Sequence, residues 1–339
     1  MTYQLDCVVW EITLKCNLKC SHCGSSAGKA RSNELTTKEC FKLNEELAEL
    51  GCNSVSLMGG EPFLRRDWLS IAQSINDLGM NLNFVSNGFT LDRYIDKISQ
   101  LEPQVIGISL DGLEKTHDKI RKVKGSFKRA INSIELLRDR GIQTTIITTV
   151  SKLNFDDLPK MKNLIFKKGA NWQIKIAMPF GNFQREFMLS KEEFYAVALF
   201  IASERIKNSF ENLPVIGAHC FGYYSKFLPG CQEWKSCSAG ISSIGVTSNG
   251  GIVGCLSMGN DRLIEGNIRE RSLKEIWQDP NSFSYNRKFG KNKLGSNCKN
   301  CKHGIKCKGG CNSMSTTITN KFHNDPYCFY SIENNIIKS

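Results

Sequence analysis

Up to about residue 185 the chain repeats one unit: a short apolar strand, a polar turn, a helix, and often a glycine that stops the helix. The apolar runs are Val8 to Thr13, Ser54 to Met58, Leu82 to Val85, Val105 to Leu110, Ile142 to Val150 and Trp172 to Ala177. Thr36-Thr37-Lys38-Glu39 reads as a capping box, in which Thr36 and Glu39 satisfy each other's free backbone donors. Phe41, Leu43, Leu47 and Leu50 follow at helical spacing, and Gly51 ends the helix. Further helices are predicted from about Asp67 to Leu78, from Leu91 to Leu101, and from a Ser126 cap to Arg138, with a weaker one after Val150. Strands spaced by helices pair in parallel, because tight hairpins join only antiparallel neighbours. Five or six such units predict an α/β fold, a partial or full β/α barrel, with a partial (β/α)6 TIM-like barrel as the expectation and its chemistry at the C-terminal ends of the strands.

The chemistry-bearing motifs do fall at strand ends. Cys16, Cys20 and Cys23 form a CxxxCxxC triplet just past the first strand. Three thiolates this close can hold three corners of a [4Fe–4S] cube and leave the fourth iron open to a ligand. Zinc in a structural site prefers four ligands, with CxxC pairs separated by a longer loop. Gly59-Gly60-Glu61-Pro62 follows the second strand, where two glycines let the backbone approach a ligand closely. Ser86-Asn87-Gly88 ends the third strand and Ser109-Leu110-Asp111-Gly112 the fourth. Both are also ordinary turn sequences.

The triplet resembles the signature of the radical S-adenosylmethionine (SAM) enzymes. The resemblance implies that the open iron chelates the amino and carboxylate groups of SAM. One electron from the cluster then splits SAM into methionine and a 5′-deoxyadenosyl radical, which abstracts hydrogen from substrate. His22 stands where the family often has an aromatic residue. Gly59, Gly60, Glu61 and Pro62 resemble the family's GGEP motif, which contacts the SAM amino group. Ser86, Asn87, Ser109 and Asp111 match places where the family puts ribose and carboxylate ligands. Arg121 resembles a basic residue that pairs with the SAM carboxylate, with Arg129 as its rival. Pro179-Phe180-Gly181-Asn182 ends the last strand, again as in the family.

A different region begins near Ser190. Ser190-Lys191-Glu192-Glu193 reads as a capping box for an amphipathic helix carrying Phe194, Val197, Leu199, Phe200 and Ile201, expected to bridge two domains. Beyond it the chain is rich in Gly, Asn, Ser and Cys. Cys237, Cys255, then Cys298-x2-Cys301-x5-Cys307-x3-Cys311, and finally Cys328 resemble the seven-cysteine SPASM domain found at the C-terminus of some radical SAM enzymes. Cys231 supplies an eighth ligand. The resemblance implies that Cys231, Cys237, Cys255 and Cys311 hold one auxiliary [4Fe–4S] cluster, and Cys298, Cys301, Cys307 and Cys328 a second. The whole enzyme then carries three. With little apolar content for a core, metal binding is expected to supply much of this region's folding energy. A zinc knuckle built from Cys298, Cys301, Cys307 and Cys311, with His303 nearby, is the competing arrangement. The expected division is a radical SAM core at residues 1–185, a bridging helix and linker at 186–230, and a SPASM domain at 231–339. Cys7, Cys40 and Cys52 are read as small core hydrophobes. Cys220 is either packing or a hydrogen-atom donor facing the radical.

Composition narrows the function classes. Fifteen cysteines without a basic-then-apolar N-terminus point to a reduced cytoplasm and metal ligation over disulfides. No stretch of about 18 uninterrupted apolar residues occurs, so no membrane span is expected. The formal charge of +12 falls to about +7 once eleven ligand thiolates and three 2+ cubes are counted. The basic residues form no run of five or six, which makes nucleic acid an unlikely partner and an acidic peptide a suitable one. By resemblance, SPASM enzymes mostly modify peptides, by crosslink, thioether, decarboxylation or epimerisation, and draw electrons from a flavodoxin- or ferredoxin-type donor. Leu256 follows Cys255 where sulfatase maturases place Asp, which argues against that activity. Only 15 residues precede Cys16, so a peptide leader is expected to need a separate recognition protein. The run Cys23 to Gly28 resembles the mycofactocin maturase group. Tetrapyrrole-modifying relatives are the second expectation. A zinc-stabilised binding or regulatory protein is the alternative outside enzymes, and it leaves Gly59 to Pro62 unexplained.

Overall fold

The computed structural model describes residues 3–207, 215–218, 220–228, 235–258 and 261–338. Six parallel strands form its centre: β1 (Cys7–Thr13), β2 (Ser54–Gly59), β3 (Asn81–Ser86), β4 (Val105–Ser109), β5 (Thr144–Val150) and β6 (Asn171–Ile176). β7 (Val215–Gly217) adds in parallel to β6, and β8 (Ser243–Val246) in parallel to β1. β9 (Gly251–Val253) and β10 (Gly266–Asn267) continue antiparallel beyond β8. The order is linear, β10-β9-β8-β1-β2-β3-β4-β5-β6-β7, so the barrel stays open between its two edges. One sheet therefore runs through all three segments expected from the sequence.

Helices α1 (Thr37–Glu49), α2 (Trp68–Asp77), α3 (Ile95–Gln100), α4 (Glu114–Arg121), α5 (Ser126–Asp139) and α6 (Leu158–Lys167) cover the outer face, and α7 (Lys191–Lys207) packs on β7. Strand alternation separates the two faces. On β6, Trp172, Ile174 and Ile176 are buried, whereas Asn171, Gln173 and Lys175 on the other face are half-buried. β5 repeats this, with Thr144, Ile146, Thr148 and Val150 buried and Thr145, Ile147 and Thr149 half-buried. Each large side chain fully buried on the outer face contributes about 1.5–3 kcal/mol. The inner face, which a closed barrel would fill with apolar layers, is here a partly open polar cleft.

Both capping boxes form: Thr36 with Glu39, and Ser190 with Glu193. Ser126 does not cap α5. Gly125 holds the cap position at φ +84°, and the Ser126 hydroxyl donates to Asp118, whose carboxylate also accepts from the Gly125 and Phe127 N–H groups. Leu199, expected on the buried face of α7, is 48% exposed, and Ala198 and Ala202 take the inner positions instead.

Candidate active site

The loop after β1 closes on itself. The Cys16 N–H donates to the Gly28 carbonyl at 3.0 Å and the Gly28 N–H to Leu14 at 2.9 Å, which gathers Cys16, Cys20 and Cys23 on one tight loop. Donors ring the sulfurs. Leu18 N lies 3.4 Å from Cys16 Sγ, Ala27 N 3.3 Å from Cys23 Sγ, and Arg121 Nη1 3.6 Å from Cys20 Sγ. Burial pushes the Cys16 thiol up to about 11 and raises Cys20, while Arg121 pulls Cys20 back. Burial thus disfavours the bare thiolates of Cys16 and Cys20, and the ring of N–H groups suits thiolates once formed. The segment after β6 clasps the same loop: Asn182 N–H donates to Cys23 at 2.9 Å, and Gly24 lies so close to Phe180 that a Cβ would stand 2.2 Å from its ring.

Beside the loop lies a cavity of about 200 Å³. The three cysteines, Gly59, Gly60, Ser86, Asn87, Ser109 and Arg121 all line it, so six of the expected cofactor contacts converge there. The glycines have a steric reason. Gly60 N donates to Thr13 at 2.8 Å, and a Cβ on Gly60 would sit 2.3 Å from the Lys15 carbonyl. Only glycine lets the end of β2 press against the cysteine loop.

Glu61, Pro62 and Asp111 lie behind the wall and do not line the cavity. The Glu61 carboxylate accepts from Ser86 Oγ at 2.8 Å and Asn87 N at 2.9 Å, and burial pushes it up to about 7. Asp111 Oδ1 accepts from Thr149 N, and Oδ2 meets His22 Nε2 at 2.9 Å and Arg121 Nη2 at 2.5 Å. Despite its burial, the Arg121 guanidinium and His22 hold that carboxylate far below the usual range. Asp111 thus anchors Arg121, and Arg121 reaches Cys20. Arg129, the rival, is half-exposed and pairs with Asp92 at 2.9 Å, away from the cavity.

Among the polar lining residues, sequence reasoning missed Thr149, Lys175 and Ser257. Lys175 is the notable one. Its ammonium forms no ion pair among the described residues, and burial lowers its pKa. The signal was available, since a lysine in the run Trp-Gln-Ile-Lys-Ile occupies an inward position of a buried strand. Leu256 shows that the position after Cys255 does reach the cavity, with an apolar side chain. Cys220 is buried, hydrogen-bonded to the Ile176 backbone, pushed up to about 11, and electrostatically in reach of Lys175; it does not line the cavity.

In the C-terminal region Cys298, Cys301, Cys307 and Cys328 line a second, half-open cavity of about 340 Å³. A mononuclear zinc site draws its sulfurs to about 2.3 Å from one point. Four sulfurs around a cavity of this size suit a polynuclear cluster better. His303 is stacked on Tyr224 at 4.4 Å and meets Tyr330 edge-on at 4.7 Å. Cys237 lies close enough to Cys255 and Cys311 to add to the burial that raises their pKa values. Cys231 lies outside the described residues. Buried Asp325 fixes the turn, accepting from Cys311 N at 3.0 Å and Tyr327 N at 2.9 Å.

A family model described as the radical SAM superfamily matches residues 10–165, and one described as an iron-sulfur cluster-binding domain matches residues 237–302. This chain carries a radical SAM domain followed by a SPASM domain. It is an enzyme, and the radical SAM domain brings a [4Fe–4S] cluster and SAM. An AdoMet-dependent heme synthase of Methanosarcina barkeri (strain Fusaro / DSM 804) is 28% identical, over 97% of this chain and 98% of its own. Mycofactocin maturase MftC of Mycolicibacterium smegmatis (strain ATCC 700084 / mc(2)155) is 27% identical, over 90% of this chain and 77% of its own. In fold, Streptococcus suis SuiB superposes with a TM-score of 0.79 at 17% identity, over 96% of this chain and 77% of that one. No helix among the described residues is long and apolar enough to cross a membrane.

Proposed function

We propose that this radical SAM enzyme modifies a peptide, by crosslink, thioether, decarboxylation or epimerisation, at the cavity beside the Cys16/Cys20/Cys23 loop. Those thiolates hold the SAM-binding cluster. Gly59, Gly60, Ser86, Asn87, Ser109 and Arg121 present backbone and polar groups to SAM, while Glu61, Pro62 and Asp111 keep that wall in place. Bound there, the cluster supplies the electron that cleaves SAM and hence the radical that takes hydrogen from substrate. The protein orients the target C–H bond and keeps water away. Cys231, Cys237, Cys255 and Cys311 hold one auxiliary cluster, and Cys298, Cys301, Cys307 and Cys328 another. The division into core (1–185), bridge (186–230) and SPASM domain (231–339) follows these ligand sets. A separate protein presents the peptide leader, a flavodoxin- or ferredoxin-type protein donates electrons, and the setting is a reducing cytoplasm.

The observation that carries the peptide reading is the open, polar inner face of the barrel, with Lys175, whose ammonium has no ion pair among the described residues, at the cavity. About 200 Å³ is small beside the ~300–1,000 Å³ of clefts that enclose a drug-sized molecule. SAM fills most of it, so substrate must reach it along the open cleft, as an extended segment with one acid group for Lys175 does. Relatives named as a mycofactocin maturase, a sporulation killing factor maturation protein and a PqqA peptide cyclase support this reading. Tetrapyrrole modification is the second reading. It is favoured by the heme synthase and the Fe-coproporphyrin III synthase of M. barkeri, which match this chain nearly end to end. A macrocycle bearing several carboxylates calls for more unpaired cations than Lys175 provides.

Anaerobic reconstitution with iron and sulfide, followed by reductant, SAM and a peptide encoded beside the gene, decides between them. Peptide-stimulated 5′-deoxyadenosine with a mass shift supports the first reading. Loss of a hydrogen pair marks a crosslink or desaturation, loss of the elements of formic acid a decarboxylation, and uptake of one solvent deuterium an epimerisation. Stimulation by an iron coproporphyrin and not by the peptide supports the second. Cys220 is proposed as a hydrogen-atom donor; unchanged turnover and product stereochemistry in Cys220→Ala excludes that role.

A further inference from the structure

After Asp279 the chain has no acidic residue until Asp325, and between them stand eight lysines and one arginine. Both flanking acids are engaged. Asp279 pairs with Arg271 at 2.9 Å, and Asp325 is buried against the backbone of Cys311 and Tyr327. Lys288, Lys291, Lys293, Lys299, Lys302 and Lys306 are exposed, and none pairs with an acid among the described residues. This acid-free stretch also carries Cys298, Cys301 and Cys307, which line the 340 Å³ cavity, and Lys302 stands on the cavity wall. Tyr330, another wall residue, lies beneath two ammonium groups, Lys226 and Lys302, each 5.5 Å from its ring centre. The half-open mouth of the cysteine cavity therefore carries Lys302 and an aromatic rim, and three of its four cysteines lie on the acid-free, lysine-rich stretch.

Such a surface recruits an anionic partner by long-range attraction, raising the association rate more than the final affinity. The four thiolates behind it decide which partner. Electron transfer needs a donor close to the acceptor, and small, transient, charge-steered interfaces are the ordinary form of such encounters. We propose that this surface docks an acidic one-electron carrier protein of the flavodoxin kind over the Cys298/Cys301/Cys307/Cys328 cavity. The inference rests on the reading that these four thiolates hold an iron–sulfur cluster. The exchange is a single electron. The carrier's anionic flavin hydroquinone becomes the neutral semiquinone as the cluster is reduced by one, with no bond made or broken and no proton moved.

The test is anaerobic stopped-flow mixing of reconstituted holoenzyme, without SAM, with flavodoxin hydroquinone, following flavin oxidation. The second-order rate of the natural enzyme should fall as salt rises, because screening shortens the range of the attraction. In a triple variant, Lys299→Glu, Lys302→Glu and Lys306→Glu, the rate should fall about tenfold or more. Lys288→Glu, Lys291→Glu and Lys293→Glu, which do not flank the cysteines so closely, should lower it in the same sense. Iron content, sulfide content and EPR spectra should match the natural enzyme in both. Equal, salt-insensitive rates in all three proteins overturn the docking site. So does tight RNA binding that the charge reversals abolish while the flavin rate stays put. If Cys298→Ala and Cys328→Ala retain the full iron content, the cluster reading fails instead, and the two failures are told apart.

Discussion

From Cys7 to Ile176 each strand buries alternate residues under a shell of helices, and the core there includes Trp10, Phe63, Phe84 and Trp172. Between Arg287 and Cys328 the buried apolar side chains other than cysteine are Leu294, Met314 and Tyr327. Short turns there bend through Lys308, Gly309, Gly310, Asn320 and His323 at positive φ. The first region can fold on apolar burial alone; the second cannot recover its chain entropy that way. It depends on its thiols, and burial pushes Cys298 and Cys328 up to about 12, so without metal they stay protonated. The two regions also differ in what they ask of a mutation: packing in one, ligation in the other.

The largest effect that sharpens this contrast is loss of ligation. Cys298→Ala with Cys328→Ala should strip hydrogen-exchange protection from residues 287–328 and leave β1 to β6 protected, since metal-coupled folding is worth on the order of 10 kcal/mol. Equal loss of protection in both regions breaks the contrast. Next comes the barrel's own polar exception. Arg121→Met takes away the guanidinium partner of buried Asp111, leaving it only His22 and the Thr149 N–H, and should cost about 3–5 kcal/mol in urea unfolding. Asp111→Asn added to it should recover part of that loss.

Glu61 gives a pH signature confined to the barrel. Its folded value of about 7 lies above its ordinary 4.5, so its stabilising contribution is complete below pH 4.5 and is lost as pH rises through about 7. That loss amounts to roughly 3 kcal/mol. Glu61→Gln should flatten the decline, and an unchanged pH–stability curve locates its source elsewhere. The smallest effect belongs to Gly60→Ala. Its Cβ meets the Lys15 carbonyl, so thermal unfolding should report a loss of about 1–3 kcal/mol and SAM affinity, by calorimetry, should weaken. Undiminished SAM affinity would show that the loop tolerates displacement.

The six central strands were legible because each is a short run rich in β-branched and apolar residues, bounded by turn and helix signals, as β5 and β6 show with every second residue buried under the helices. α4 escaped notice because Glu-Lys-Thr-His-Asp-Lys-Ile-Arg carries too little apolar periodicity. β7 to β10 escaped because strands of two to four residues earn their place only by pairing with partners far along the chain. The cavity wall from Gly59 to Ser109 was legible through motif spacing at strand ends. The retreat of Asp111 behind Arg121 was not, since it takes His22, Thr149 and Arg121 from three other elements. The positive surface had a sequence signal too, in the missing acids between Asp279 and Asp325 and not in any run of lysines.

β1 sits between β2 and β8 in the sheet, hydrogen-bonded on one side to residues 54–59 and on the other to residues 243–246. During synthesis its first neighbour emerges early, and its second only after most of the barrel is made. With translation at about 5–20 residues per second, the strand that leads into the cysteine loop presents an unpaired edge for roughly ten seconds or more. On the ribosome, then, the catalytic end of this enzyme is among the last parts to be sealed, although it is among the first to be made.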